Sequence, residues 1–149
     1  MMEPSLLPSN DLTDQEISLK FSEYTPEVPE KGFVPAYIFN IIKDEKKVGE
    51  VKFKAGTNEH ILFAGHFGYG IEPNSRGHHY AERAVRLLLP FAKKLGFKRI
   101  IITCNPANIA SRRTCERLGA ELKGIYPIPE NHSMYQRGER DVCRYELPI

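Results

Sequence analysis

The run Ile71-Glu72-Pro73-Asn74-Ser75-Arg76-Gly77-His78-His79-Tyr80-Ala81 carries residue types and a spacing suited to holding an anion. It begins where an apolar stretch, residues 67–71, stops, and it ends where a helical pattern starts. The N–H groups of a helix's first turn have no partner inside the helix, and the dipole adds about half a positive charge there. Arg76 and the backbone at Gly77 stand at the mouth of such a site. Phosphate is the ligand this arrangement suits, although many strand–turn–helix junctions bind nothing.

A second stretch sharpens the reading. It is Asn108-Ile109-Ala110-Ser111-Arg112-Arg113-Thr114-Cys115-Glu116-Arg117-Leu118-Gly119-Ala120. Together with residues 68–81 it resembles the GNAT superfamily of acyl-CoA-dependent N-acyltransferases, in particular the branch that acetylates ribosomal-protein N-termini. The first stretch is similar to that family's pyrophosphate loop, (Arg/Gln)-x-x-Gly-x-(Gly/Ala), with Arg76 and Ala81 in the outer positions. The second is similar to its Asn-x-x-Ser/Ala helix. Two motifs in this order, around a helix and a strand, are more specific than either alone. One departure stands out: the loop's middle glycine is His79. A histidine there either keeps the glycine-like backbone with its ring turned outward or crowds the cofactor. The retained Arg76-Gly77 and Tyr80-Ala81 favour the first.

The resemblance implies acetyl-CoA as acyl donor, held mainly by backbone. Arg76, Gly77, His78, His79, Tyr80 and Ala81 match the pyrophosphate loop, and Ile71 matches the strand-end residue that meets the pantetheine arm. Asn108 and Ser111 match residues that contact that arm; Asn108 reads equally as a helix N-cap, and both roles can hold together. For the base that deprotonates the acceptor, His66 and Glu50 are the candidates. An imidazole of ordinary pKa, about 6.5, suits proton removal, while a histidine satisfied by a neighbouring carbonyl is the plainer alternative. Glu50 interrupts an apolar alternation and faces either the cleft or solvent. Many family members place an acidic tyrosine where Cys115 stands here, and a buried packing role suits that cysteine better. Arg112, Arg113 and Arg117 form a basic stripe, read as a solvated face with a phosphate contact as the sharper option.

Several elements must position these residues. Residues 1–14 read as a loose lead-in and 17–21 as a first strand. Residues 23–35 contain Pro26, Pro29, Gly32 and Pro35, too many breakers for the paired helices that most superfamily members place there. Residues 36–43 and 48–54 alternate as an antiparallel pair across a polar turn, and 60–71 reads as a longer strand loosened by Gly65, Gly68 and Gly70. An amphipathic helix spans 80–95, with Pro90 expected to bend it and Gly96 ending it. Residues 98–104 read as a strand covered on both faces, which makes a βαβ unit with parallel flanking strands. A second helix follows at 109–118, then a closing antiparallel pair, 121–128 and 142–147. With the early helices trimmed, residues 24–35 and 132–140 are expected to wall the acceptor side.

Composition sets the outer limits. The 149 residues are 41% hydrophobic and 27% charged with a net charge of +2, which fits one globular domain spanning 1–149 and gives no electrostatic case for nucleic acid or membrane. Cys104, Cys115 and Cys143 show neither metal-ligand spacing nor a disulfide framework, so no metal is expected. No basic-then-apolar leader opens the chain, and a cytoplasmic location is the default.

The fold expected is α/β: a mixed central sheet, antiparallel in its N-terminal half with a βαβ unit in its C-terminal half, helices on both faces and a reduced early helical region. The function expected is transfer of an acetyl group from acetyl-CoA to a primary amine by direct attack. The partner is a small-molecule amine or a peptide N-terminus, with a homodimer left open. The alternatives are a non-catalytic acyl-CoA-binding module, a protein N-terminal acetyltransferase and, last, a nucleic-acid-binding domain.

Overall fold

In the computed structural model, which describes residues 12–149, β-branched and aromatic runs form a first sheet in the order β1-β2-β3-β4. Its strands are β1, Ser18–Thr25, β2, Ala36–Lys43, β3, Lys46–Lys54, and β4, Phe67–Ile71, all paired antiparallel. Asp44 and Glu45, both with positive φ, make the tight turn between β2 and β3. Alternation sorts the side chains of β3: Val51 and Phe53 are fully buried, whereas Glu50, Lys52 and Lys54 share the opposite face. The buried face lies against α2, Tyr80–Lys94, which contributes Tyr80, Ala84, Val85, Leu88, Phe91 and Ala92. Phe91 is central, set edge-on to both Tyr37 and Phe53. The helix runs on through Pro90 and stops at Gly96, whose φ is 99°.

The C-terminal third forms a separate antiparallel sheet, β5-β7-β6, from β5, Arg99–Cys104, β6, Glu121–Pro127, and β7, Asp141–Pro148. Between β5 and β6 runs α3, Ile109–Leu118. The expected closing pair is therefore present, with β7 in the middle of its sheet. The parallel partnership expected between β4 and β5 is not a ladder. The two strands meet at one point, where the His66 N–H donates to the Ile101 carbonyl at 2.7 Å and the Ile101 N–H donates to His66 Nδ1 at 2.9 Å. A side-chain nitrogen takes the place of the next backbone acceptor, and the strands part beyond it.

Two further readings are corrected. Residues 60–71 are not one strand: a single helical turn, α1, Ile61–Ala64, precedes β4. Asn58 Oδ1 accepts from the Ile61 N–H and starts that turn, and Gly65, with φ 76°, ends it. In the other long loop a second turn, α4, Ser133–Gln136, is started by His132 Nδ1, which accepts from the Met134 N–H. The early region holds only a short 3-10 turn, Pro29–Lys31, in line with its prolines. The lead-in read for 1–14 lies outside the described residues as far as residue 11. Its last part is tied down: Asp14 accepts from the Glu16 and Ile17 N–H groups and pairs with Arg83 at 3.1 Å.

Gly65 is the tightest point of the sheet junction. A Cβ there would sit 3.0 Å from the Thr103 nitrogen, on a backbone that L-residues avoid. Gly65→Ala is expected to cost about 2 kcal/mol in urea unfolding. Gly68→Ala, where a Cβ meets nothing within 4 Å, is expected to stay within about 0.5 kcal/mol of the parent. Equal losses at both positions would show that the junction is not the constrained point.

Candidate functional site

The divergence of β4 from β5 opens a cleft, and the sequence lines it from both sides. A cavity of about 620 Å³ runs along the unburied face of the first sheet and through the gap to the start of α3. Lys52, Lys54, Gly68 and Tyr69 line it from β3 and β4, with Thr103, Cys104, Asn108 and Ser111 on the far side. The proline-rich segment contributes Val28, Phe33 and Val34, and the loop after β6 contributes Ser133, Met134, Arg137 and Glu139. Both segments expected to wall the acceptor side thus border one space.

Beyond the end of β4 the chain turns through residues 72–79 into the start of α2. The backbone N–H groups from His78 to Glu82 meet no protein acceptor among the described residues; the ladder begins with the Arg83 N–H donating to the His79 carbonyl. His79 sits at φ 62°, ψ 29°, the left-handed shape a glycine would supply, with its side chain exposed. Gly77 has φ 89°. Arg76 Nε donates to the Ile71 carbonyl at 3.0 Å, so the strand end and the loop are held as one unit. The loop therefore presents a row of free donors at the positive end of a fifteen-residue helix, an arrangement that fits a pyrophosphate.

At the start of α3, Asn108 Oδ1 accepts from the Ser111 N–H at 3.1 Å, so the capping role is realised while Asn108 also borders the cavity. Ser111 Oγ lies 2.8 Å from Tyr69 Oη, a hydroxyl pair joining β4 to the start of α3. Desolvation holds the Tyr69 phenol above its usual pKa, so it stays protonated. The sequence reading missed Tyr69, and its only signal was a tyrosine between two glycines on β4.

Neither candidate base lines the large cavity. His66 is 1% exposed, with Nδ1 accepting from Ile101 and Nε2 2.9 Å from Thr57 Oγ1. Both ring nitrogens are committed, and burial lowers its pKa to about 4. This is the structural alternative, a histidine that joins sheets, so it is not free to accept a proton from an acceptor. Glu50 is exposed, 3.7 Å from Lys47, and borders a smaller hollow of about 290 Å³ with Gly70 and Ile71, away from the large cavity. Cys115 is fully buried, and its hydrogen bond with Cys104 together with burial holds its thiol protonated.

Other polar groups do face the cavity. Burial first, then the charges of Lys52 and Arg137, bring the Lys54 ammonium down to about 8. Its Nζ is 3.4 Å from the Ala64 carbonyl, and among the described residues no carboxylate lies within 4 Å. His60 stacks on His132 at 4.0 Å between ring centroids, and burial followed by the His132 charge lowers it to about 4. Alternation on β3 was the sequence signal for Lys52 and Lys54, since both fall on the face opposite Val51 and Phe53. Two of the three arginines on α3 are in use elsewhere: Arg117 pairs with Glu82 at 2.7 Å and Arg112 donates to Tyr145 Oη at 3.1 Å.

His66 makes the junction sensitive to acid. Its pKa is depressed in the fold, so its contribution is complete above the unfolded value near 6.5 and is lost as pH falls toward 4. Up to about 3 kcal/mol of unfolding free energy is expected to disappear over that window. Urea unfolding at pH 7.5 and 4.5 checks this: His66→Asn, which keeps an acceptor near Nδ1, should lose distinctly less than the parent. An equal loss in both would remove His66 as the cause.

Comparison with known proteins follows the same geometry. A family model described as acetyltransferase (GNAT) domain matches residues 3–121. An uncharacterized N-acetyltransferase, YnaD of Bacillus subtilis (strain 168), is 31% identical over 99 residues, 64% of this chain and 56% of that protein. Among solved structures, the microcin C7 self-immunity acetyltransferase MccE, in complex with acetyl-CoA and AMP, is 26% identical with a TM-score of 0.58, covering 81% of this chain and 63% of that one. A Salmonella typhimurium acetyltransferase that modifies the N-terminal serine of a ribosomal protein is 23% identical with a TM-score of 0.60, covering 80% and 66%. This chain thus spans little more than half the length of its curated relative. Among the described residues, no helix is long and apolar enough to cross a membrane.

Proposed function

This chain belongs to the GNAT acetyltransferase family, and we propose that it transfers an acetyl group from acetyl-CoA to a primary amine by direct attack in a ternary complex. The observation that carries the reading is the row of free N–H groups from His78 to Glu82 at the start of α2, a short loop beyond β4, whose Phe67, Gly68 and Tyr69 line the large cavity. The pyrophosphate of the donor would lie on that row, with Arg76 to Ala81 as its loop and the left-handed His79 aiming the donors. The pantetheine arm would run past Ile71 along the open edge of β4, toward Asn108 and Ser111. The microcin self-immunity relative, solved with acetyl-CoA and AMP, supports the donor assignment.

The reaction then needs three events. The acceptor ammonium gives a proton to solvent, its nitrogen forms a bond to the thioester carbonyl carbon, and the C–S bond breaks to release a thiolate. With His66 committed to the sheet junction and Glu50 outside the large cavity, water relay is the route for the first proton. The Tyr69–Ser111 hydroxyl pair borders the cavity and would donate a hydrogen bond to the departing thiolate, which takes its proton from solvent. A small amine is favoured over a peptide N-terminus because two loops wall the cavity on its acceptor side.

Titration with acetyl-CoA in a calorimeter tests the donor site. Micromolar affinity is expected, weakened about tenfold by Arg76→Ala. Absence of binding would overturn the acyltransferase reading. If Tyr69 stabilises the thiolate by that hydrogen bond, Tyr69→Phe lowers kcat at least about tenfold and leaves acetyl-CoA affinity unchanged. A wild-type kcat in that variant would leave the thiolate to depart unassisted.

A further inference from the structure

The acceptor part of the cavity has an uneven charge. Lys52 and Lys54 enter from β3 and Arg137 from the end of α4, against one carboxylate, Glu139. That carboxylate already lies 3.7 Å from Arg137. Lys54 is the sharpest case, because its ammonium is largely buried and its nearest polar contact is a single carbonyl at 3.4 Å. A buried ammonium with no counter-charge is costly, and a bound anion is what would relieve that cost. Val28, Phe33, Val34 and Met134 add apolar surface to the same cavity.

Resting on the acetyl-transfer reading, we infer that the acceptor is a small amine carrying its own anionic group, a carboxylate or a phosphate, seated against Lys54 and Arg137 with its apolar body toward Phe33 and Met134. Two effects follow from one set of cations. They attract the anion of the acceptor, and they disfavour the protonated form of its amine, so a larger fraction is neutral and able to attack the thioester. The same charges repel an amine that has no anion, such as a polyamine. A cavity of about 620 Å³ has room for a small acceptor of this kind beside the thioester end of the donor.

Matched pairs test this on the full chain saturated with CoA: phenylalanine against phenylalaninamide, and phosphoethanolamine against ethanolamine, by calorimetry. The anionic member of at least one pair is expected to bind about tenfold or more tightly than its partner, and which pair responds tells carboxylate from phosphate. Lys54→Met and Arg137→Ala should each erode that advantage while CoA affinity stays within about twofold of the parent. Arg137 is largely exposed, so its substitution keeps the test readable if Lys54→Met fails to fold. Equal binding within both pairs, no saturable binding of either anion, or an advantage that survives both substitutions would overturn the inference. Failure to bind CoA is read before any amine is added, and it overturns the acyltransferase reading instead.

Discussion

The architecture turns on a single histidine. β4 and β5 flank α2 in the order that ordinarily yields neighbouring parallel strands, yet they touch only around His66. There one N–H···O bond and one N–H···N bond do what a ladder would otherwise do. Past that point each strand keeps a backbone edge unpaired toward the other, and the gap between those edges becomes the cleft. An unpaired edge in a folded core is ordinarily a liability. Here it borders a cavity that admits water or a ligand, so its polar groups need not go unsatisfied. The Tyr69–Ser111 hydroxyl pair adds a second link from β4, to the start of α3 rather than to β5.

This arrangement explains which parts were legible from the sequence. The second helix read correctly at both ends, because Asn108 caps it and Gly119, at φ 87°, ends it; each is a local signal with a local cause. The first long helix read equally well, since its apolar spacing is dictated by the sheet it covers. Residues 60–71 misled because their apolar content fits a strand, whereas Asn58 and Gly65 impose a helical turn through bonds that periodicity does not register. His66 left two readings open for a related reason. Its place before a glycine-rich strand is compatible with a base, and only the tertiary contacts with Ile101 and Thr57 reveal that both ring nitrogens are taken. The sequence also could not show that Lys52 and Lys54 share a cavity with Arg137, which lies more than eighty residues further along the chain.

The start of α2 and the cavity around Lys54 differ in how they present positive charge. At the start of α2 it is a set of partial charges on fixed N–H groups, which lose no conformational freedom on meeting an anion. Around Lys54 it is full charge on long side chains, one of which is buried enough to be close to losing its proton. A backbone cradle suits a ligand that every catalytic cycle shares, whereas side chains suit the partner that distinguishes one enzyme from another. On the proposed reading, the common donor would lie at the first and the selected acceptor at the second.

His79 shows how strongly the cradle constrains the chain. A non-glycine residue in the left-handed region loses about 1–2 kcal/mol relative to its preferred conformations, less where the residue type tolerates it. The loop nevertheless adopts φ 62° at this position, with the imidazole in solvent and the next three N–H groups free. Any more ordinary conformation at His79 would turn the peptide that leads into Tyr80 and aim the first helical donors elsewhere. The backbone shape, rather than the glycine usually associated with it, is therefore what the site requires. A side chain is tolerated as long as it points away from the cleft.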